Sequence, residues 1–530
     1  MEVICLGEAM LRQASGGLGS ITTPGGSELN TAVSLAMLGR KVSWISALGD
    51  DPAAKRIRRD ALSAGVDLSH VKTLPYPTGK YRITEDSKSP IYQRKNSAFA
   101  HLTPQHFPEL LRPIFDGVRW LHLSGITPLL GEKPKSLWAT AMGWAELDGF
   151  LISLDINHRP ALGEWEELWA IIEPKLRQIH ALHLSTTDLE KMYENDLIET
   201  PADQIENAVS EVRRKFGLTW VTCSHKTDEN GIRSRWSTMS SVFQQYKSVS
   251  TIKNPSSSPL IDPLGGGDAW VGAWLDGMLQ GFDEEQILRR ADKYAAMVQA
   301  GIGDFSTITD IALEEGVAEA TLRTLTIMGQ SHTSLNRSSS NTIHKPLNPL
   351  SGVIAILRKH EPVKAVELAI QLVAEGCKAI EVTLDSDKPF ETIAAIRSTL
   401  PPRILIGVGT ISQPETQIPM AQKCGATFAL APNNPKDMVN IAKQHNMLAI
   451  PGVANISQTE QAINQGAKAV KLFHWKKDWA TKQTEIEDLK HQYSEVLFIP
   501  VGGILMTEIG SLHSEGHATM GIGSQLNIGE

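Results

Sequence analysis

The chain has 530 residues, too long for one ordinary domain, so two or three are expected. A net charge of −8 and a pI near 6.1 argue against a surface built to hold nucleic acid. Four dispersed cysteines without metal or disulfide spacing fit reduced thiols, and no apolar run is long enough to cross a membrane or serve as a signal peptide, so a cytoplasmic protein is expected.

The first elements alternate. Val3–Leu6 reads as a buried strand, and Pro24–Gly39 carries Leu29, Val33, Ala36 and Met37 at helical spacing with Gly39 as the stop. Val42–Ala47 is the next strand, and this strand-helix-strand order predicts a parallel α/β sheet. Gly25 and Gly26 offer backbone amides just before the helix, with Asn30 one turn in; a plain glycine turn with a solvated Asn30 explains the isolated pattern as well. Thr78-Gly-Lys-Tyr81 and Ile91-Tyr-Gln-Arg-Lys-Asn-Ser-Ala98 read as strands with polar positions, carrying Tyr81, Tyr92 and Arg94. Leu154-Asp-Ile-Asn-His-Arg-Pro160 ends a strand, where α/β proteins place ligand contacts. Arg94 and Arg159 could clamp a carboxylate by two-pronged hydrogen bonds, which a neutral sugar would not need.

Ile261-Asp-Pro-Leu-Gly-Gly-Gly-Asp-Ala-Trp270 organises this half. Gly265, Gly266 and Gly267 feed a helix whose free N–H groups and positive dipole end attract anions. Asp268 in the first turn can take a proton from a hydroxyl attacking a nucleotide γ-phosphate. A glycine-rich turn capped by Asp268 accounts for the stretch equally well. The two stretches together resemble the paired signatures of the ribokinase-like PfkB sugar kinases, with Gly266 for Ala and Trp270 for Phe. The resemblance implies a three-layer α/β/α domain, ATP and Mg²⁺ as cofactors, Asp268 as catalytic base, Gly265–Gly267 as anion hole, and Gly25, Gly26 and Asn30 on the sugar hydroxyls. The polar patches resemble those of 2-keto-3-deoxygluconate (KDG) kinases, which implies that Tyr81, Tyr92, Arg94 and Arg159 hold a sugar acid. Ser185-Thr-Thr-Asp188 only weakly echoes the family's metal-adjacent Asn-x-x-Glu, and no residue is assigned as a metal ligand. Val221–Gly231 lacks the usual nucleotide-border pattern, and the helix at Ala291–Ala300 is expected beside the adenine.

The Ser/Asn/Thr-rich run within 329–347 cannot build a core and reads as a flexible linker between a 1–328 domain and a 348–530 domain. From Gly352 on, eight short apolar runs, each but the last followed by an amphipathic segment, predict a (β/α)₈ TIM barrel. Glu381 and Lys471 stand inside apolar strands, whereas Lys468 lies outside one. A desolvated lysine is a nucleophile toward ketones, and a nearby carboxylate can shuttle protons during C–C cleavage. A structural Lys–Glu pair, or side chains facing the outer helices, is the alternative.

Ile354-Ala-Ile-Leu-Arg358, Ile380-Glu-Val-Thr-Leu384, Gly407-Val-Gly-Thr410, Ile450-Pro-Gly-Val453, Val470-Lys-Leu-Phe473, Pro500-Val-Gly-Gly-Ile504 and Gly521-Ile-Gly-Ser524 resemble the 2-keto-3-deoxy-6-phosphogluconate (KDPG) aldolases. That resemblance implies Lys471 as Schiff-base lysine, Glu381 as acid/base, Arg358 and Thr410 on the pyruvate carboxylate, Gly502, Gly503, Gly523 and Ser524 on the phosphate, and Phe473 among the residues that bind pyruvate or phosphate. No cofactor is expected in this half, and a homo-oligomer, trimeric through the barrel, is implied. Asp385 replaces the usual Arg, and His474-Trp475 replaces Pro-Ala or Pro-Ser. Small-molecule substrates are the expected partners. The expected function is a bifunctional enzyme that phosphorylates KDG and cleaves the resulting KDPG to pyruvate and glyceraldehyde 3-phosphate. The alternatives are a kinase for a related sugar acid joined to a phosphogalactonate or 4-hydroxy-2-oxoglutarate aldolase, or a sugar-acid sensor without turnover.

Overall fold

Val3–Leu6, Val42–Leu48 and Trp120–Ser124 are buried along their whole length, as strands covered on both faces must be. The structure, a computed structural model, describes residues 1–16, 19–83, 91–107, 117–229, 232–242, 245–248, 264–301, 303–328, 350–401 and 403–523. The strands join a nine-stranded sheet in the order Gln245–Ser248, Ile232–Ser241, Trp220–Glu229, Ala181–Ser185, Leu151–Asp155, Trp120–Ser124, Val3–Leu6, Val42–Leu48, Val71–Thr73. It is parallel except for the Gln245–Ser248 and Ile232–Ser241 edge. Alternation along each strand then assigns the layers. Ile4, Leu121, Ile152, Leu182 and Val221 share a core with helices Glu132–Asp148, Trp165–Ile172 and Ile205–Phe216. The opposite side chains, Trp120 and His183 among them, meet Trp270 and Trp274 of helix Gly266–Gln280. On that face His122, Ser153, His183 and Thr222 form a hydrogen-bonded ladder at 2.8–3.1 Å, and burial holds both histidines below their ordinary pKa and thus neutral. A second sheet, in the order Gly19–Gly25, Met10–Gly16, Gly79–Ile83, Ile91–Gln93, accompanies the first. The expected three-layer ribokinase-like fold is present.

The second half runs Val353–Leu357, Ala379–Thr383, Leu405–Gly409, Phe428–Leu430, Leu448–Ile450 continuing into Gly452–Val453, Ala469–Leu472, Leu497–Pro500 and Met520–Ile522. All pair in parallel, Met520–Ile522 pairs back to Val353–Leu357, and a bridge between Val501 and Gly521 closes the ring. Each of the eight expected runs is one of these barrel strands. Ile380, Val382, Val470 and Leu472 pack outward against the helices, so Ala379, Glu381, Ala469 and Lys471 face the interior.

Contacts divide the chain into one unit over Met1–Gly16 and Thr22–Asp310 and another over Ile311–Glu530. Residues 311–328, expected in the first domain, group by contact with the second unit. Leu325 and Met328, 0% and 1% exposed, close the floor of the barrel against Ile354, Ala379, Phe428, Leu448 and Ala469. An amphipathic helix, Val317–Ile327, reveals in sequence that it buries a face but not which core takes it. The linker 329–347 lies outside the described residues.

Candidate active sites

Asp268 is buried in the first turn of helix Gly266–Gln280. Its Oδ1 accepts from Ser27 Oγ at 2.8 Å and its Oδ2 from Asn30 Nδ2 at 2.7 Å. Ser27 Oγ in turn accepts from Asn157 Nδ2 at 2.8 Å. The two glycine-led helices are thus locked together, with Thr31 Oγ1 also donating to Asp268 O at 3.2 Å. Burial pushes the Asp268 carboxyl above its ordinary pKa, opposed by the Asn30 and Ser27 hydrogen bonds and by the charges of Arg159 and Lys226. Asn30 Oδ1 has no hydrogen-bond partner among the described residues, which leaves an acceptor aimed away from the carboxylate it anchors.

Gly265 has φ +73°, and a Cβ there would lie 2.6 Å from Asp304 O. Among the described residues a Cβ on Gly267 would meet nothing within 4 Å, so the helix N-terminus is open there toward them. The departures from the family signature have local causes. A Cβ on Gly266 would stand 2.4 Å from the Gln299 side chain, and Trp270 Nε1 donates to the buried Asp292 at 2.8 Å. These amides fit a polyphosphate. Burial raises the Asp155 carboxyl well above its usual pKa, and the charges of Asp268 and Asp188 raise it further; burial raises Asp188 as well. Among the described residues no group of three or more carboxylate, histidine or cysteine side chains could hold a metal by itself. A Mg²⁺ that arrives with ATP is held mainly by phosphate and water, so it needs few protein carboxylates.

The sugar-acid candidates divide. Arg159 is exposed, and its charge acts on Asp268, Asp155 and Asp188. Arg94 is paired with Glu8, Nε to Oε2 at 2.7 Å, and Ser97 Oγ donates to the same buried carboxylate. Tyr81 OH donates to Asp304 Oδ2 at 2.6 Å, and Arg12 Nη1 donates to Oδ1 of that carboxylate at 2.7 Å. Tyr92 lies on a tilted ring 5.7 Å from Tyr81 and is 37% exposed. Gly25 sits against Asp304 and Tyr81, and Gly26 against the Glu8 backbone. Sequence reading missed Glu8 and Asp304; the available signal was a charged residue after a glycine, which for Glu8 follows a buried strand.

In the barrel, Lys471 is 6% and Glu381 1% exposed, both two residues above the plugged floor on the interior side. Burial raises the Glu381 carboxyl, opposed first by Lys471 and then by Arg358. Glu381 Oε2 has no partner among the described residues, and Gly409 leaves the space that its carboxyl fills. Lys471 Nζ stands 4.7 Å from the centre of the Phe473 ring. Thr410 follows that glycine at φ +64°, strained for a β-branched residue and a mark of a site whose surroundings impose it. Arg358 extends the interior row Ile354, Ile356 to the strand end, where its Nε donates to Asp385 Oδ2 at 2.8 Å. Gly502 and Gly503, both at positive φ, lie beside His474 and Lys476. Gly523 is described at the strand end, whereas Ser524 lies outside the described residues.

The pfkB family carbohydrate kinases match residues 21–309, more than half of the chain, and the KDPG and KHG aldolases match 347–529. The first half is similar to the 2-dehydro-3-deoxygluconokinase of Bacillus subtilis (strain 168), 25% identical over 320 residues, covering 57% of this chain and 91% of that one. The second is similar to the 2-dehydro-3-deoxy-phosphogluconate aldolase of Pseudoalteromonas atlantica, 30% identical over 155 residues, covering 29% of this chain and 70% of the relative. Among solved structures, the 2-dehydro-3-deoxygluconokinase of Thermotoga maritima shares the first-half fold at TM-score 0.54 and 24% identity, covering 59% of this chain and 98% of that chain. A putative Ribokinase II from E. coli, solved in complex with ATP and Mg²⁺, does so at TM-score 0.50 and 21% identity, covering 60% and 98%. The chain belongs to the pfkB carbohydrate kinases through its first half and to the KDPG and KHG aldolases through its second, and is a fused kinase and lyase.

Proposed function

We propose that the first half phosphorylates 2-keto-3-deoxygluconate at its 6-hydroxyl and the second splits the product into pyruvate and glyceraldehyde 3-phosphate. In the kinase, the Asp268 carboxylate takes the proton of the attacking hydroxyl while Ser27 and Asn30 fix its direction. Asn30 Oδ1 accepts from a sugar hydroxyl, and the exposed Arg159 holds the carboxylate of the sugar acid, Arg94 being taken up by Glu8. The amides at Gly265–Gly267 hold the phosphates, and Asp155 would meet their Mg²⁺. ATP supplies the γ-phosphoryl group when bound. In the barrel, the Lys471 amine adds to the C2 ketone and loses water to give the iminium. Glu381 takes the C4 hydroxyl proton as the C3–C4 bond breaks. It then returns a proton to C3 of the enamine, and hydrolysis frees pyruvate.

The observation that carries this reading is one chain holding both a buried Asp268 at a glycine-led helix start and a buried Lys471–Glu381 pair above a closed barrel floor. The test is pyruvate formation from KDG and ATP. Asp268→Asn should abolish it while cleavage of added KDPG continues. Lys471→Ala should stop cleavage while ADP still forms. Failure of borohydride to trap pyruvate at residue 471 would return the barrel to a binding role. A relative in Haloferax volcanii is a 2-dehydro-3-deoxygalactonokinase at 25% identity, so the galacto epimer is the second substrate to run. Faster turnover of that epimer by both halves would replace the gluco assignment.

A further inference from the structure

The mouth of the barrel carries an ion pair that the reaction as derived above does not use. Arg358 ends the interior row of the first barrel strand, and both Nε and Nη2 converge on Asp385 Oδ2, at 2.8 and 2.7 Å. The strand ends that carry them are tied together on either side. Lys359 N donates to Ser386 Oγ at 2.8 Å, Thr383 Oγ1 donates to Leu357 O at 3.4 Å, and Thr383 and Ser386 hydroxyls lie 3.2 Å apart. Thr383 also hydrogen-bonds Asp385, and with Arg358 it holds that carboxyl below its usual range against a partial burial that would raise it. Asp385 is therefore a charged carboxylate held in place by its loop. The arginine charge reaches Glu381, and that of Asp385 opposes it there. A guanidinium gripping a carboxylate near the reacting centre is the geometry a keto-acid substrate would itself form.

We propose that Asp385 is an internal carboxylate that occupies Arg358 and that the substrate carboxylate must displace, so that Asp385 sets the affinity and anion selectivity of the barrel. This rests on the keto-acid reading of the barrel given above. The exchange is feasible because the Arg358 side chain is 58% exposed, and exposed pairs are weak. The displaced carboxylate then stands beside the incoming one, which penalises keto acids relative to uncharged ketones of the same shape.

The variant Asp385→Asn keeps the shape and the Thr383 contact but removes the charge. Its KM for KDPG, and the pyruvate concentration giving half-maximal borohydride trapping at Lys471, should fall about fivefold, equivalent to about 1 kcal/mol at about 1.4 kcal/mol per factor of ten. The kcat should stay within about twofold, because only ground-state competition is relieved. Arg358→Ala should raise KM, and adding Asp385→Asn to it should bring a smaller drop than in the parent, since the competition for Arg358 needs both partners. A merely structural Asp385 would give the opposite: a raised KM and a lower melting temperature. An unchanged or raised KM in Asp385→Asn, with trapping intact in the unaltered chain, overturns the proposal alone. Absence of trapping in the unaltered chain overturns the keto-acid reading and this proposal with it.

Discussion

Glu28 shows what one buried carboxyl does at the residue scale. It sits next to Ser27 in the first turn of its helix, 1% exposed, accepting from Ser124 Oγ at 2.6 Å and Thr127 Oγ1 at 2.9 Å, with no cation in contact among the described residues. Burial raises its pKa from 4.5 to about 7, more than the two hydroxyls lower it. Its folded pKa is thus above the unfolded one, so its contribution to stability is fully present below about pH 4.5 and is lost as pH rises through about 7. Across that window the loss amounts to roughly 3 kcal/mol. Glu28→Gln keeps the acceptor and removes the titration. The variant should unfold at a higher temperature than the parent at pH 8, with the gap closing toward pH 5, as followed by calorimetry of the first-half transition. Asp268 shares the direction but with the opposite functional sign. Its carboxyl is raised by burial, and only the ionised form accepts a proton, so kinase kcat should fall on the acid side before ordinary aspartates titrate.

At the scale of elements, the start of helix Gly266–Gln280 separates backbone need from open space. Gly265 combines φ +73° with a carbonyl 2.6 Å from where a Cβ would stand, so Gly265→Ala should cost about 1–3 kcal/mol and lower kinase kcat. Gly267 has helical backbone and no described neighbour where a Cβ would stand, so Gly267→Ala should leave stability equal or slightly raised while weakening ATP, because the methyl would fill the side proposed for the phosphates. Thermal unfolding and KM for ATP distinguish the pair; equal stability loss in both would refute the assignment. This start, like the eight barrel strands and the interior pair Glu381 and Lys471, was legible in sequence, since glycine runs and period-two apolar runs are local signals. The partners of Arg94, Tyr81 and Arg358 were not. Glu8, Asp304 and Asp385 meet them through folding, and an arginine read alone looks free for a substrate carboxylate. Such pairings depend on which loops become neighbours, which no short-range pattern encodes.

For the molecule as a whole, the division between the two units decides what can be cut. Residues 1–310 hold the whole of the described kinase site, and helix Val317–Ile327 serves the barrel. Leu325 and Met328 fill the floor, Ser351 Oγ donates to Met328 O at 2.8 Å, and Thr519 Oγ1 donates to Leu325 O. Removing the helix would expose the apolar ends of the barrel strands and lose burial worth about 1.5–3 kcal/mol for each of those side chains, or about 3–6 kcal/mol together. Against a typical domain stability of about 5–15 kcal/mol that is a large share. A polypeptide covering residues 311–530 should therefore fold, trap pyruvate at Lys471 and melt cooperatively. One covering 348–530, which a cut at the linker would suggest, should melt far lower or aggregate, with strong binding of a hydrophobic dye to the opened floor. Leu325→Ala in the longer piece should lie between them, costing about 2–5 kcal/mol through lost burial and the cavity it leaves. If the shorter piece matches the longer in melting temperature and trapping, the helix is an appendage and the floor of the barrel is closed by its own strands alone.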